Sequence, residues 1–94
     1  MPVTKTNQLI YKYQMDASII GEVQKVSMPK KSVILSVQEQ SGALTLWALH
    51  NDGVKPEDRS FIVAWTGRHF KLPTGFKFVG TVQINVLVYH VFAK

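Results

Sequence analysis

Hydrophobic and polar residues alternate along most of this chain. A two-residue period is the mark of strands that turn one face toward a core. Leu9, Tyr11 and Tyr13 share one face while Lys12 points away, which predicts an N-terminal strand. A weaker strand is expected from Ile19 to Val26, interrupted by Gly21. Met28-Pro29-Lys30-Lys31 reads as a turn, because proline fixes its own backbone and lacks a donor. Ser32 to Gln40 is the clearest strand, with Val33, Leu35 and Val37 on one face. Ser41-Gly42 then predicts a tight hairpin turn. Its partner, Ala43 to Leu49, is apolar on both faces and is expected to be a central strand.

His50 to Asp58 reads as a polar loop containing Asn51-Asp52-Gly53 and Pro56, so His50 is expected to be exposed. Arg59 to Trp65 places Phe61, Val63 and Trp65 on one face. After a loop from Thr66 to Gly75, two more strands are expected, Phe76 to Gln83 and Val86 to Phe92, with Asn85 near the turn. No segment repeats apolar residues at a helical period over three turns. Asp16-Ala17-Ser18 could cap one helical turn at most. The expected fold is all-β: one domain over residues 1–94, a small antiparallel barrel or sandwich of six to seven strands.

Composition adds two points. Hydrophobic residues make up 46% of the chain and charged residues 18%, below the roughly 25% usual for globular domains. A chain of 94 residues with that balance leaves apolar surface to cover, and a homo-oligomer is the simplest cover. It has no cysteine, which rules out disulfides and thiolate metal sites and fits a reducing cytoplasm. The net charge of +5 favours anionic partners such as nucleotides, nucleic acid or an acidic protein face. No segment approaches the length of a membrane span, and no basic stretch followed by an apolar run suggests a secretory leader.

A set of short strings runs through nearly the whole chain, from Ile10 to Phe92. They are Tyr11-Lys12-Tyr13, Met28-Pro29, Ile34-Leu35-Ser36-Val37-Gln38, Leu46-Trp47-Ala48-Leu49, Thr66-Gly67, Phe78-Val79-Gly80-Thr81-Val82-Gln83 and Val88-Tyr89-His90-Val91-Phe92. In order and spacing they resemble a family of small tailed-bacteriophage and prophage proteins catalogued as a domain of unknown function. The family's turn of the Thr-Gly-His-Pro type reads Thr66-Gly67-Arg68-His69 here, with a basic residue inserted. The resemblance implies a phage setting, action in the host cytoplasm, and an accessory role of the kind filled by inhibitors of host defence. One physical class of such inhibitors is the sponge, an oligomer that sequesters a nucleotide immune signal.

Catalytic chemistry finds no support in the residues. His50, His69 and His90 form no His-Glu-x-x-His motif and no close cluster with carboxylates, so neither a metal nor another cofactor is expected. A nucleophile elbow, a phosphate-binding Walker loop and a dinucleotide fingerprint are all absent. His90 falls in phase with Val86, Val88 and Phe92, where a histidine is expected to be packed and hydrogen-bonded. Tyr11, Tyr13 and Trp47 read as core or interface aromatics.

One constellation stands above the background: Trp65, Thr66, Gly67, Arg68, His69, Phe70 and Lys71. A glycine after a strand end can turn backbone N–H groups toward an anion. Arg68 offers a planar fork for phosphate and Lys71 a point charge. Trp65 and Phe70 could stack a base. The same residues also read as a plain surface loop with two cations and two core aromatics. The function expected from the sequence is therefore a non-enzymatic, phage-encoded binder of an anionic nucleotide. A protein–protein inhibitor of a host enzyme and a small-barrel module for single-stranded nucleic acid are the alternatives.

Overall fold

The computed structural model describes residues 7–94, and the expected lack of an N-terminal leader concerns a stretch that begins outside them. Seven strands follow one another: β1 (Gln8–Gln14), β2 (Val23–Pro29), β3 (Val33–Gln40), β4 (Ala43–Asn51), β5 (Pro56–Trp65), β6 (Lys77–Ile84) and β7 (Leu87–Ala93). They build two antiparallel sheets, one in the order β1-β4-β3 and the other β2-β5-β7-β6. Neither sheet closes into a barrel, so of the two architectures expected the sandwich is the one observed. The described residues contain no helix, and hence none long and apolar enough to cross a membrane.

Alternation explains the core. Leu44, Leu46 and Ala48 of β4 face Phe61 and Val63 of β5 and Tyr89, Val91 and Ala93 of β7. Each of the larger side chains contributes about 1.5–3 kcal/mol by leaving water. β4 lies between β1 and β3, as its apolar character on both faces requires. The β3–β4 hairpin turns through Ser41 and Gly42 at φ 52° and 80°. Two consecutive positive φ angles match the twist of the flanking strands, and glycine takes the second without penalty.

Several boundaries differ from the sequence reading. Met28 and Pro29 belong to β2, and the turn is only Lys30 and Lys31, where the chain crosses from one sheet to the other. Val33, Leu35 and Val37 do not share a face, because a bulge between Ile34 and Ser36 resets the alternation. Val33 and Leu35 are exposed, while Val37 is buried. His50 lies in β4 and is buried, not in an exposed loop; Tyr13 takes its imidazole as a partner, Tyr13 Oη to His50 Nε2 at 2.8 Å.

Asp16-Ala17-Ser18 forms a single turn that no helix follows. Ser18 N–H donates to Asp16 Oδ1 at 2.9 Å, and Ile19 N–H to Asp16 C=O at 3.3 Å. The buried Gln24 side chain ties this turn to β2. Its Oε1 accepts from Asp16 N–H at 3.1 Å, and its Nε2 donates to Asp16 C=O at 3.0 Å.

The two sheets approach most closely where β6 passes β3. A Cβ placed on Gly80 would lie 2.9 Å from Val37 Cγ1. A side chain there would force Val37 to shift. Gly80 also adjoins the second bulge of the molecule, between Phe78 and Gly80.

Candidate functional site

The loop singled out by sequence, Trp65 to Lys71, leaves the end of β5 and splits between the two faces of the second sheet. Trp65 pairs with Tyr89 and follows Phe61 and Val63 onto the inner face, half-buried. Its ring meets Tyr89 edge-on at 6.3 Å, and Arg68 Cζ sits 5.4 Å from its centroid. Trp65 Nε1 is buried, and among the described residues it has no hydrogen-bond partner. Gly67, at φ 83°, lets the chain reverse so that Arg68 N–H donates to Trp65 C=O at 3.3 Å. Arg68 and Trp65 thus hold each other.

Phe70 goes to the outer face. Its ring packs 5.8 Å from Phe92, and its Cβ lies 3.3 Å from a Cβ placed on Gly21. The two aromatics are not brought together, and no single base can stack on both. Thr66 turns its hydroxyl to His90, with Oγ1 to Nε2 at 2.7 Å, while Thr81 Oγ1 meets His90 Nδ1 at 2.9 Å. His90 is therefore hydrogen-bonded on both ring nitrogens, on the outer face beside Phe92. His69 and Lys71 are exposed.

A different set of cations converges elsewhere. In the antiparallel order β5-β7-β6, the start of β5, the end of β7 and the start of β6 share one end of the sheet. Arg59, Lys94 and Lys77 come from those three places. Together with Ile34, Leu35 and Val79 they line a cleft of about 430 Å³ at the open margin between β3 and β6. Both bulges among the described residues border it, at Ile34/Ser36 and Phe78/Gly80. Bulges re-aim side chains and end pairing, and they are enriched beside sites for this reason.

Arg59 is fixed in this cleft. Its Nε donates to Lys94 C=O at 3.1 Å and its Nη1 to Ser32 C=O at 2.8 Å. A guanidinium has five N–H donors, so these contacts orient the fork and leave donors free. The stem of Lys94 lies against Gly75, where a Cβ would come 3.3 Å from Lys94 Cε. No aspartate or glutamate lines the cleft. A second hollow of about 640 Å³, between Gln14–Ala17 and Ser41–Leu44, includes Asp16 and, among the described residues, no cation. Hydrogen bonds from Ser18 hold the Asp16 carboxyl below its ordinary value, so that hollow carries negative charge.

At the other margin Tyr11, Tyr13 and His50 form an aromatic cluster, with ring centroids 5.3–6.0 Å apart. Burial, with a smaller contribution from Tyr11, raises the Tyr13 hydroxyl above its ordinary pKa. The three histidines lie apart: His50 on the inner side of β4, His69 in the loop and His90 on the outer face of β7. Among the described residues no group of three or more histidines and carboxylates is placed to hold a metal ion.

Arg59, Lys77 and Lys94 carried no signal as a group, since they are distant in sequence. The one available clue was a cation at a strand end, repeated three times. The chain belongs to the family described as a domain of unknown function (DUF7352), whose model matches residues 6–94. No curated protein and no solved structure matches it.

Proposed function

We propose that this protein is a non-enzymatic binder that holds an anionic, nucleotide-like small molecule in the Arg59–Lys77–Lys94 cleft. The observation that carries this reading is the convergence of three cations, with no aspartate or glutamate, on one hollow walled by Ile34, Leu35 and Val79. A fixed guanidinium suits phosphate, because its fork presents parallel donors. The apolar wall suits the uncharged part of such a ligand. The setting is phage-encoded counter-defence in the host cytoplasm, where the protein sequesters a nucleotide immune signal. The family resemblance and the lack of catalytic motifs support that setting.

A thermal-shift screen with cyclic dinucleotides, cyclic ADP-ribose species and ordinary nucleotides tests the reading. A ligand at a hundredfold excess over its dissociation constant stabilises the fold by about 2.7 kcal/mol. The shift should fall by half or more in Lys77→Glu. No shift with any member of the panel overturns the proposal.

A second reading, a protein inhibitor, draws on the outer face of the second sheet. Phe78 is 60% exposed there and packs edge-on against Phe92, with Phe70 on the other side. Exposed aromatic clusters of this kind serve as anchors for protein partners. Retention of a host enzyme on the immobilised protein, lost in Phe78→Ala but kept in Lys77→Glu, would favour it.

A further inference from the structure

The free margin of β1 offers a surface that fits a second copy of this chain. Among the described residues β1 pairs only with β4, and every residue of it except Tyr13 is exposed. Leu9, Ile10 and Tyr11 are 52%, 58% and 53% exposed, so apolar side chains stand open on both faces of one strand. Edge strands are usually blunted by charge, proline or a bulge. β1 has no proline, runs without a register shift along β4 and carries a single charge, Lys12.

The hydrogen-bonding phase of that edge is fixed. Met15 N–H donates to Leu44 C=O at 2.9 Å, and Asp52 N–H to Asn7 C=O at 3.0 Å. The odd-numbered residues of β1 therefore bond to β4. The N–H and C=O groups of Gln8, Ile10, Lys12 and Gln14 point to the open side, since bonding direction alternates along an antiparallel strand.

We propose that two copies pair through β1, antiparallel, about a two-fold axis at Tyr11. This register uses the whole strand: Gln8 faces Gln14 of the second copy, Ile10 faces Lys12, Leu9 faces Tyr13, and Tyr11 faces Tyr11. The residues that must exchange backbone bonds across the axis are those whose groups point outward. Each polar end meets an amide, each lysine meets an isoleucine, and the aromatic residues gather on one face. Moving the axis to Lys12 sets two lysines directly opposite each other, which is unfavourable. The result is one continuous sheet in the order β3-β4-β1-β1-β4-β3, a closed and isologous arrangement.

The interface is small, so the mass must be followed over a wide range, from about 1 µM to about 1 mM, by sedimentation equilibrium. A dimer should form within it. Ile10→Pro removes one outward donor and leaves the bonds to β4 intact, which an edge strand tolerates. That variant should stay folded and become monomeric. A second measurement needs no loss of structure. The chain has no cysteine, so Tyr11→Cys places the only thiol of each copy against its twin. Mild oxidation should link Tyr11→Cys into a disulfide dimer at least tenfold faster than Leu9→Cys, which is equally exposed but faces Tyr13. A monomer across the whole range overturns the proposal. So does a dimer that persists in Ile10→Pro while the two cysteine variants oxidise at equal rates.

Discussion

The Trp65–Lys71 loop and the Arg59–Lys77–Lys94 cleft make opposite use of sequence. In the loop, residues contiguous in the chain are sent to different places: Trp65 inward, Phe70 outward, His69 and Lys71 to solvent. In the cleft, residues far apart in the chain arrive at one end of one sheet. The difference follows from strand geometry. Neighbours along a strand or its exit alternate between faces, whereas strand pairing gathers distant residues into rows. A run of promising residue types in an all-β chain is thus weak evidence of a site, and a row of like charges across paired strands is stronger.

Charge reversal gives the largest expected contrast. Lys77→Glu should weaken binding of the nucleotide found by the screen about 10- to 100-fold, the range of a hydrogen bond to a charged group. Arg68→Glu should leave that affinity unchanged. Isothermal titration reads both, and the reverse result would return the site to the loop.

The next effect concerns the seam between β3 and β6 next to the cleft. Gly80→Ala should cost about 1–3 kcal/mol in chemical denaturation, because its new Cβ meets Val37 where the sheets are closest. In a Val37→Ala background the same change should cost less, since the two residues contact each other and their effects do not add. Additive costs would mean that the contact between β3 and β6 is not what shapes this margin.

The loop should answer more weakly. Phe70→Ala gives up its contact with Phe92 and should destabilise by about 1 kcal/mol in the same assay. Trp65→Phe should be smaller still, within about 0.5 kcal/mol, because the lost ring area is offset by removing a buried N–H that has no partner. A large loss in Trp65→Phe would mean that the indole N–H is satisfied in solution.

The sequence was informative where alternation was unbroken. The Ser41-Gly42 hairpin, the central place of β4 and the shared face of Phe61, Val63 and Trp65 all follow from period and turn chemistry. It misled where one residue shifted the count. The bulge at Ile34/Ser36 sends Leu35 to the surface beside the cleft, and no propensity of Leu or Ser announces a bulge. His50 misled for another reason. The Asn51-Asp52-Gly53 turn begins later than its polar composition suggests, and Tyr13, distant in sequence, supplies the partner that makes burial tolerable. The cleft was hidden because it depends on strand order, which pairing decides and local pattern does not.

The Gln24 clamp on Asp16 has a consequence for how the chain finds this fold. Most of the sandwich rests on pairings between residues far apart in sequence, such as Tyr13 with Leu46, and such topologies fold slowly. Gln24 and Asp16 are separated by only eight residues, so closing that loop sacrifices less chain entropy. The clamp can form while the distant strands are still searching. Once formed, it fixes where the chain leaves β1 for the opposite sheet and narrows the search left to β4. Hydrogen exchange during refolding would show it as early protection of the Asp16 amide, ahead of the β1–β4 ladder.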